Sequence, residues 1–279
     1  MRFLKSLVLT MSLLPAFAMA SPEANVETIM FQKLKEFGTN KTLQDELVFS
    51  QSPQFSSEQK EIVREHLTEL FTNDRFTHYI ARTILSALNL DELYQHSKEE
   101  RVALGFNLIV PILQNLSHKG LRRLSPEIQL EGLKQTLIMM ENTDAETCRY
   151  MAFGYDSVDP YARKMKKNNL ALIKVFSPEE LRTMYRMQRM AIFAEINDTP
   201  RAKELTAHEA AFGEQVFSKT LLKEIQTFPV RQQERISQVL INPEAANDKE
   251  ACLCGKIIYR AMIKAPGIGG EWFRQSIWQ

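Results

Sequence analysis

The chain has 279 residues, 35 basic and 34 acidic side chains for a formal charge of +1, and 44% apolar against 25% charged residues. This excludes a disordered or fibrous chain, and the even charge removes the surplus of Lys and Arg on which a globally basic nucleic-acid binder depends. Ten glycines and 11 prolines beside 12 methionines and 16 phenylalanines favour helices over a loop-rich or β-rich fold.

Residues 1–20 carry Arg2 and Lys5, an apolar stretch from Ser6 to Phe17, and Ala18-Met19-Ala20 before Ser21. That order of charge, apolar run and small residues predicts a secretory signal peptide cleaved after Ala20. The apolar run is too short to span a bilayer, and no later run approaches the roughly 20 apolar residues a span needs. Removing the leader takes away Arg2 and Lys5, which leaves 33 basic against 34 acidic residues. The expected mature protein, 21–279, is therefore near neutral and is read as one all-helical domain with a possible subdivision near 118–125. Its location is expected to be periplasmic or secreted.

Along that body the recurring mark is a small polar residue followed by Pro, often with Glu next. It occurs at Ser21-Pro22-Glu23, Ser125-Pro126-Glu127, Ser177-Pro178-Glu179 and Asn242-Pro243-Glu244, with Asp159-Pro160 and Thr199-Pro200 as variants. The polar oxygen caps free amides, Pro lacks the N–H that would go unpaired at the first helical position, and Glu meets the positive end of the helix dipole. Ser97-Lys98-Glu99-Glu100 and Ser177-Pro178-Glu179-Glu180 also fit the reciprocal capping box. Between these marks apolar residues recur at helical spacing, as in Ile62, Val63, Leu67, Leu70 and Phe71, then Phe76, Ile80, Ile84, Leu85 and Leu88. The predicted helices are 23–37, 42–50, 57–72, 74–90, 98–117, 126–142, 144–153, 160–176, 178–197, 200–226, 230–241, 245–264 and 270–277. The fold class expected is all-α: a compact assembly of about ten or more helices, with two closely packed halves as the alternative arrangement. The apolar run Leu104–Leu116 is read as a buried central helix kinked at Pro111.

Export changes the meaning of the three cysteines, because thiols outside the cytosol tend to be paired. Cys252 and Cys254 lie two apart on a predicted helix, so their side chains diverge by about 160° and cannot bond without breaking the helix. The staple should run from Cys148 to one of them. Cys254 shares a core-like stripe with Ala251, Ile257, Ile258 and Ala261, so the reading favours Cys148–Cys252, with Cys254 as the alternative partner.

No catalytic constellation is legible. Ser57-Glu58-Gln59-Lys60 matches S-x-x-K without its companion motifs, and His208-Glu209 lacks the second His of a zinc helix. Two clusters remain. Arg163, Lys164, Lys166, Lys167, Arg182, Arg186 and Arg189 form a basic middle that could face an anionic partner. Met184, Met187 and Met190 place three thioethers on one helix surface, a spacing that soft Cu(I) would accept but that core packing explains equally well. Beyond the Gly-rich stretch 267–270, read as a hinge, the terminal Trp272 and Trp278 should dock onto the body. The expectation is an exported, non-catalytic helical protein that needs no cofactor and binds an unknown protein or an anionic envelope component. A glycan-directed envelope hydrolase and a Cu(I)-handling protein are its rivals.

Overall fold

Side chains that pair with free backbone groups set the helix boundaries of this protein. A computed structural model describes residues 22–49, 55–87, 98–154 and 175–278, and among them all regular structure is helical, with no strand. In chain order the helices are α1 (Pro22–Thr39), α2 (Lys41–Gln44, running into a π-helical turn at Asp45–Phe49), α3 (Ser57–Thr72), α4 (Asp74–Ala87), α5 (Lys98–Leu121) and α6 (Pro126–Glu141). Then follow α7 (Ala145–Phe153), α8 (Pro178–Asn197), α9 (Ala207–Gln226), α10 (Val230–Ile241), α11 (Asp248–Lys264) and α12 (Gly267–Ser276). The leader 1–20, residues 160–174 of the predicted helix 160–176 and the caps at Ser97 and Asp159 lie outside the described residues, and 175–176 form a turn and not helix.

Two predicted helix starts are corrected. Thr199-Pro200 opens no helix, because these residues help to end α8. Asp198 takes the left-handed conformation at φ 52°, and the Thr199 and Asp198 amides donate to the carbonyls of Ala194 (3.0 Å) and Glu195 (3.2 Å), closing a Schellman turn. The next helix waits for Thr206, whose hydroxyl accepts from the Glu209 amide at 3.2 Å while the Glu209 carboxylate accepts from the Thr206 amide at 2.9 Å. Likewise Asn242-Pro243-Glu244 makes only a single 3-10 turn, Pro243–Ala245. α11 begins at a second reciprocal box, between Asn247 and Glu250. In both places a box that satisfies two donors sets the boundary.

The chain divides into two compact units. Unit 1 holds the described residues up to Gly120 together with Gln188–Thr199. Its core joins Met30, Leu34 and Phe37 of α1, Leu70 and Phe71 of α3, Phe76, Ile80 and Ile84 of α4, Leu116 of α5 and Ile192 of α8. Phe71 is the hinge of this packing, meeting Phe37 edge-on at 5.1 Å and Phe76 at 5.3 Å, the arrangement that ring quadrupoles prefer. Within α5, Leu116 is buried and Leu108, Ile109, Ile112 and Leu113 are half-buried against this core, while Pro111 is exposed. The apolar run is therefore not wrapped on all sides as the sequence suggests: its proline side meets solvent.

Unit 2 comprises Leu121–Met187 and Pro200–Gln279. α11 is its centre. One face, with Ala251, Cys254 and Ile257, packs with Ile236 and Val239 of α10 and Ile225 of α9. The other carries Cys252 into a cluster with Met140 of α6 and Cys148 of α7. α12 docks on α9 through Phe273, whose ring stacks on Phe217 with centroids 3.9 Å apart, and Trp272 meets Phe212 edge-on at 5.8 Å. The predicted hinge 267–270 is instead the first turn of α12, with Gly269 and Gly270 buried. Glycine is needed there because a Cβ on Gly270 would lie 2.0 Å from the Ala265 carbonyl oxygen.

In unit 1 the crossing of α5 over α8 is equally close: a Cβ on Gly120 would lie 1.8 Å from the Ala191 carbonyl oxygen. Backbone cannot yield as a flexible side chain does, so Gly120→Ala should lower the unfolding free energy by about 3 kcal/mol. Urea titration followed by circular dichroism measures it; a loss below about 1 kcal/mol would show that the helices part easily.

Candidate functional site

The cysteine assignment is settled by helix geometry. Cys148 and Cys252 have their sulfurs 2.03 Å apart and their Cα atoms 5.1 Å apart, so they form a disulfide across a sequence separation of 104. Cys254, two residues on, points to the opposite face of α11, buried beside α10 with its thiol directed at the Ile236 carbonyl. Burial pushes that thiol up to about 11, with Glu250 adding to the rise, so it stays protonated and unreactive at neutral pH. The set is a staple and a buried spare, with no paired dithiol.

Arg149, next to the bridge, reinforces it. One guanidinium nitrogen donates to the Ala246 carbonyl at 2.8 Å and to Asp248 Oδ1 at 3.1 Å, and the other reaches the carbonyls of Pro243 (3.3 Å) and Glu244 (3.4 Å). This charged fork organises the turn that leads into α11. Close approach of α7 and α11 also requires Gly255, where a Cβ would fall 2.3 Å from that of Ala152.

The basic middle is dispersed in its roles. Arg163, Lys164, Lys166 and Lys167 lie outside the described residues. Arg182 and Arg186 are exposed one turn apart on α8. Arg189 is not part of a solvent-facing set: its side chain is only 14% exposed, its Nε lies 2.7 Å from Glu69 Oε2, and a terminal nitrogen sits 3.5 Å from His66 Nδ1. The physical reason is its position, since Arg189 falls on the stripe of α8 that turns toward the unit 1 core next to Ile192. Beneath it His66 is almost wholly buried, and burial, with the neighbouring Arg189 charge, lowers its pKa to about 3.

The methionine row is likewise divided. The Met187 sulfur packs over Gly132, 3.2 Å from where a Cβ would stand, and Met184 is half-buried. Met190 is 41% exposed. Among the described residues no group of three or more His, Cys, Asp or Glu is placed to hold a metal ion. Ser57 belongs to a helix start: Ser56 and Gln59 exchange a reciprocal capping box there. His208 is exposed.

A feature the motifs did not announce is a groove of about 690 Å³ in unit 1, lined by Asp74, Arg75, His78, Tyr79, Arg82, Thr83 and Ser86 of α4 with Ile196 of α8. Its signal in the sequence is the polar stripe of α4 at spacings of three and four, which is the complement of the apolar stripe. Also missed were three buried polar side chains that close helix C-termini. The Gln44 amide donates to the carbonyls of Phe37 and Gly38, that of Gln129 to those of Leu121 and Leu124, and Arg274 to those of Met262 and Ala265. Each pairs with carbonyls at a helix end or in the turn just beyond it.

Fold and cysteine chemistry together define an all-helical protein with a disulfide-closed C-terminal unit. Comparison with known protein families, with characterised proteins and with solved structures finds no match for this chain. Among the described residues no helix is long and apolar enough to cross a membrane.

Two measurements test this description. Replacing both bridge cysteines, Cys148→Ala with Cys252→Ala, should cost about 2–5 kcal/mol of stability, whereas the native protein should leave Cys254 unmodified by a thiol reagent until denaturant is added. His66 should shape the acid limb of stability. The unfolded chain binds its proton near 6.5 and the folded chain only near 3, so the contribution is complete above pH 6.5. It is lost on acidification toward pH 3 at about 1.4 kcal/mol per pH unit. His66→Gln should flatten that limb, and an unchanged slope would show that other groups govern it.

Proposed function

We propose that this chain is exported through residues 1–20 and serves in the cell envelope as a non-catalytic binding protein. The observation that carries the reading is the cysteine arrangement: a buried Cys148–Cys252 bridge and a third thiol held protonated suit a protein that folds where disulfides persist. The order of charge and apolar residues in 1–20 supports the same compartment. The binding half of the proposal rests on the excess of Lys and Arg between Arg163 and Arg186 in an otherwise balanced chain. On it, Arg182 and Arg186 stand exposed on successive turns of α8, a presentation suited to an anionic protein or envelope component.

Expression of the full chain in a bacterial host with an active secretory pathway should yield a product outside the cytoplasm that begins at Ser21. Peptide mapping without reductant should find Cys148 linked to Cys252. Retention in the cytoplasm with an intact amino terminus and three free thiols would sink the export reading. For the binding half, Arg182→Gln with Arg186→Gln should elute from an immobilised polyanion at lower salt than the parent; identical elution would remove these residues from the contact surface.

A further inference from the structure

The groove on unit 1 has a repeat that selects its ligand. Arg75, His78, Tyr79, Arg82, Thr83 and Ser86 follow one another at helical spacing along the outer face of α4. Arg75 and Arg82 are seven residues apart, which is two turns and about 10.5 Å along the axis. Tyr79, 38% exposed, lies between them, and Ile196 contributes an apolar wall from α8.

The charges within the groove are unequally answered. Asp74 is held by Lys35 at 2.5 Å, and that ammonium lowers the carboxyl's pKa. Glu27 is shared between Arg82 Nε at 2.8 Å and His78 at 3.5 Å, and the His78 ring is fixed by stacking on Phe31 with centroids 4.0 Å apart. Glu27 is contacted by Arg82 through Nε, and the Arg82 side chain remains 71% exposed. Arg75 donates to a neutral acceptor, the Asn197 amide oxygen at 2.9 Å, and its charge is not cancelled by that contact. Two guanidiniums are thus presented two turns apart, separated by an aromatic and an aliphatic surface.

The geometry points to this groove as the docking site for an acidic amphipathic helix of a partner protein. A helix laid along α4 has the same repeat, so carboxylates at positions i and i+7 stand opposite Arg75 and Arg82. A leucine at i+3 or i+4 then falls on Tyr79 and Ile196. An extended strand does not match, because residues on one of its faces recur at about 6.7 Å and 13 Å. The space holds a few side chains and not a helix, so the partner rides on the surface and inserts its apolar residue. Every residue of this site belongs to unit 1 and none to the basic stretch around Arg182.

The test uses the full disulfide-bonded protein and a fluorescein-labelled 18-residue alanine-rich peptide with glutamates at i and i+7 and leucine at i+3. Binding measured by fluorescence anisotropy should weaken at least fivefold in Arg75→Gln with Arg82→Gln, and as much when both peptide glutamates become glutamine. It should be unchanged by Arg182→Gln with Arg186→Gln, which separates this site from the proposed basic surface, and peptide helicity should rise on binding. Both arginines are exposed, so circular dichroism of the variant should match the parent. Equal affinity for the glutamate and glutamine peptides would overturn the proposal. So would indifference to the arginine changes, or arginine-dependent binding to phosphatidylglycerol vesicles without binding of the peptide.

Discussion

The joint between α7 and α11 is the constraint on which unit 2 depends. Two adjacent residues make it by different chemistry: Cys148 bonds covalently to Cys252, and Arg149 grips the carbonyls of the turn before α11 together with Asp248. The covalent part acts chiefly on the unfolded chain by closing a long loop. The guanidinium acts on the folded one, because carbonyls that would otherwise need water are paired with a charge near a helix start. Once α11 is held this way, its two faces build two clusters. The bridge face meets α6 and α7, and the Cys254 face meets α9 and α10.

Unit 1 has no covalent tie among its described residues and is organised by aromatic packing around Phe71. It places polar groups at the edge of that core instead. His66 is enclosed and neutral, and Arg189 bridges it to Glu69 at the boundary with solvent. Such an arrangement is tolerant at neutral pH and costly in acid, because the imidazole gains a proton readily only when the chain unfolds. The two units thus draw stability from different sources, a cross-link in one and buried rings in the other. The groove on α4 occupies the outer side of the helix whose inner side supplies Phe76, Ile80 and Ile84 to the core, so a rigid scaffold supports the proposed contact face.

The legible features were the local ones. Ser177 and the apolar stripes of α3 and α4 placed helix starts and buried faces because capping and periodicity act within one or two turns. The divergence of Cys252 from Cys254 was readable for the same reason, since 100° per residue needs no knowledge of the fold. Local chemistry misled where two local motifs competed. Thr199-Pro200 has a sound starting signature, yet Thr199 is used to close α8 and the box at Thr206 opens α9. Arg189 was grouped with Arg182 and Arg186 by charge, although three residues of helical rotation turn it from solvent toward Glu69.

That this protein is helical, where most of its helices begin, and that Cys252 and Cys254 could not bond each other all follow from the order of residues, through backbone hydrogen bonding and helical rotation. Packing between distant helices selects which cysteine meets Cys148, which arginines are turned inward, and that Gln44, Gln129 and Arg274 close helix ends. Those outcomes depend on residues from 5 to 123 positions away, brought into contact by packing, and no pattern along the chain encodes that proximity. The same holds for the groove of unit 1, where α4 supplies the stripe and the arrival of Ile196 from α8 turns a solvated helix face into a lined site.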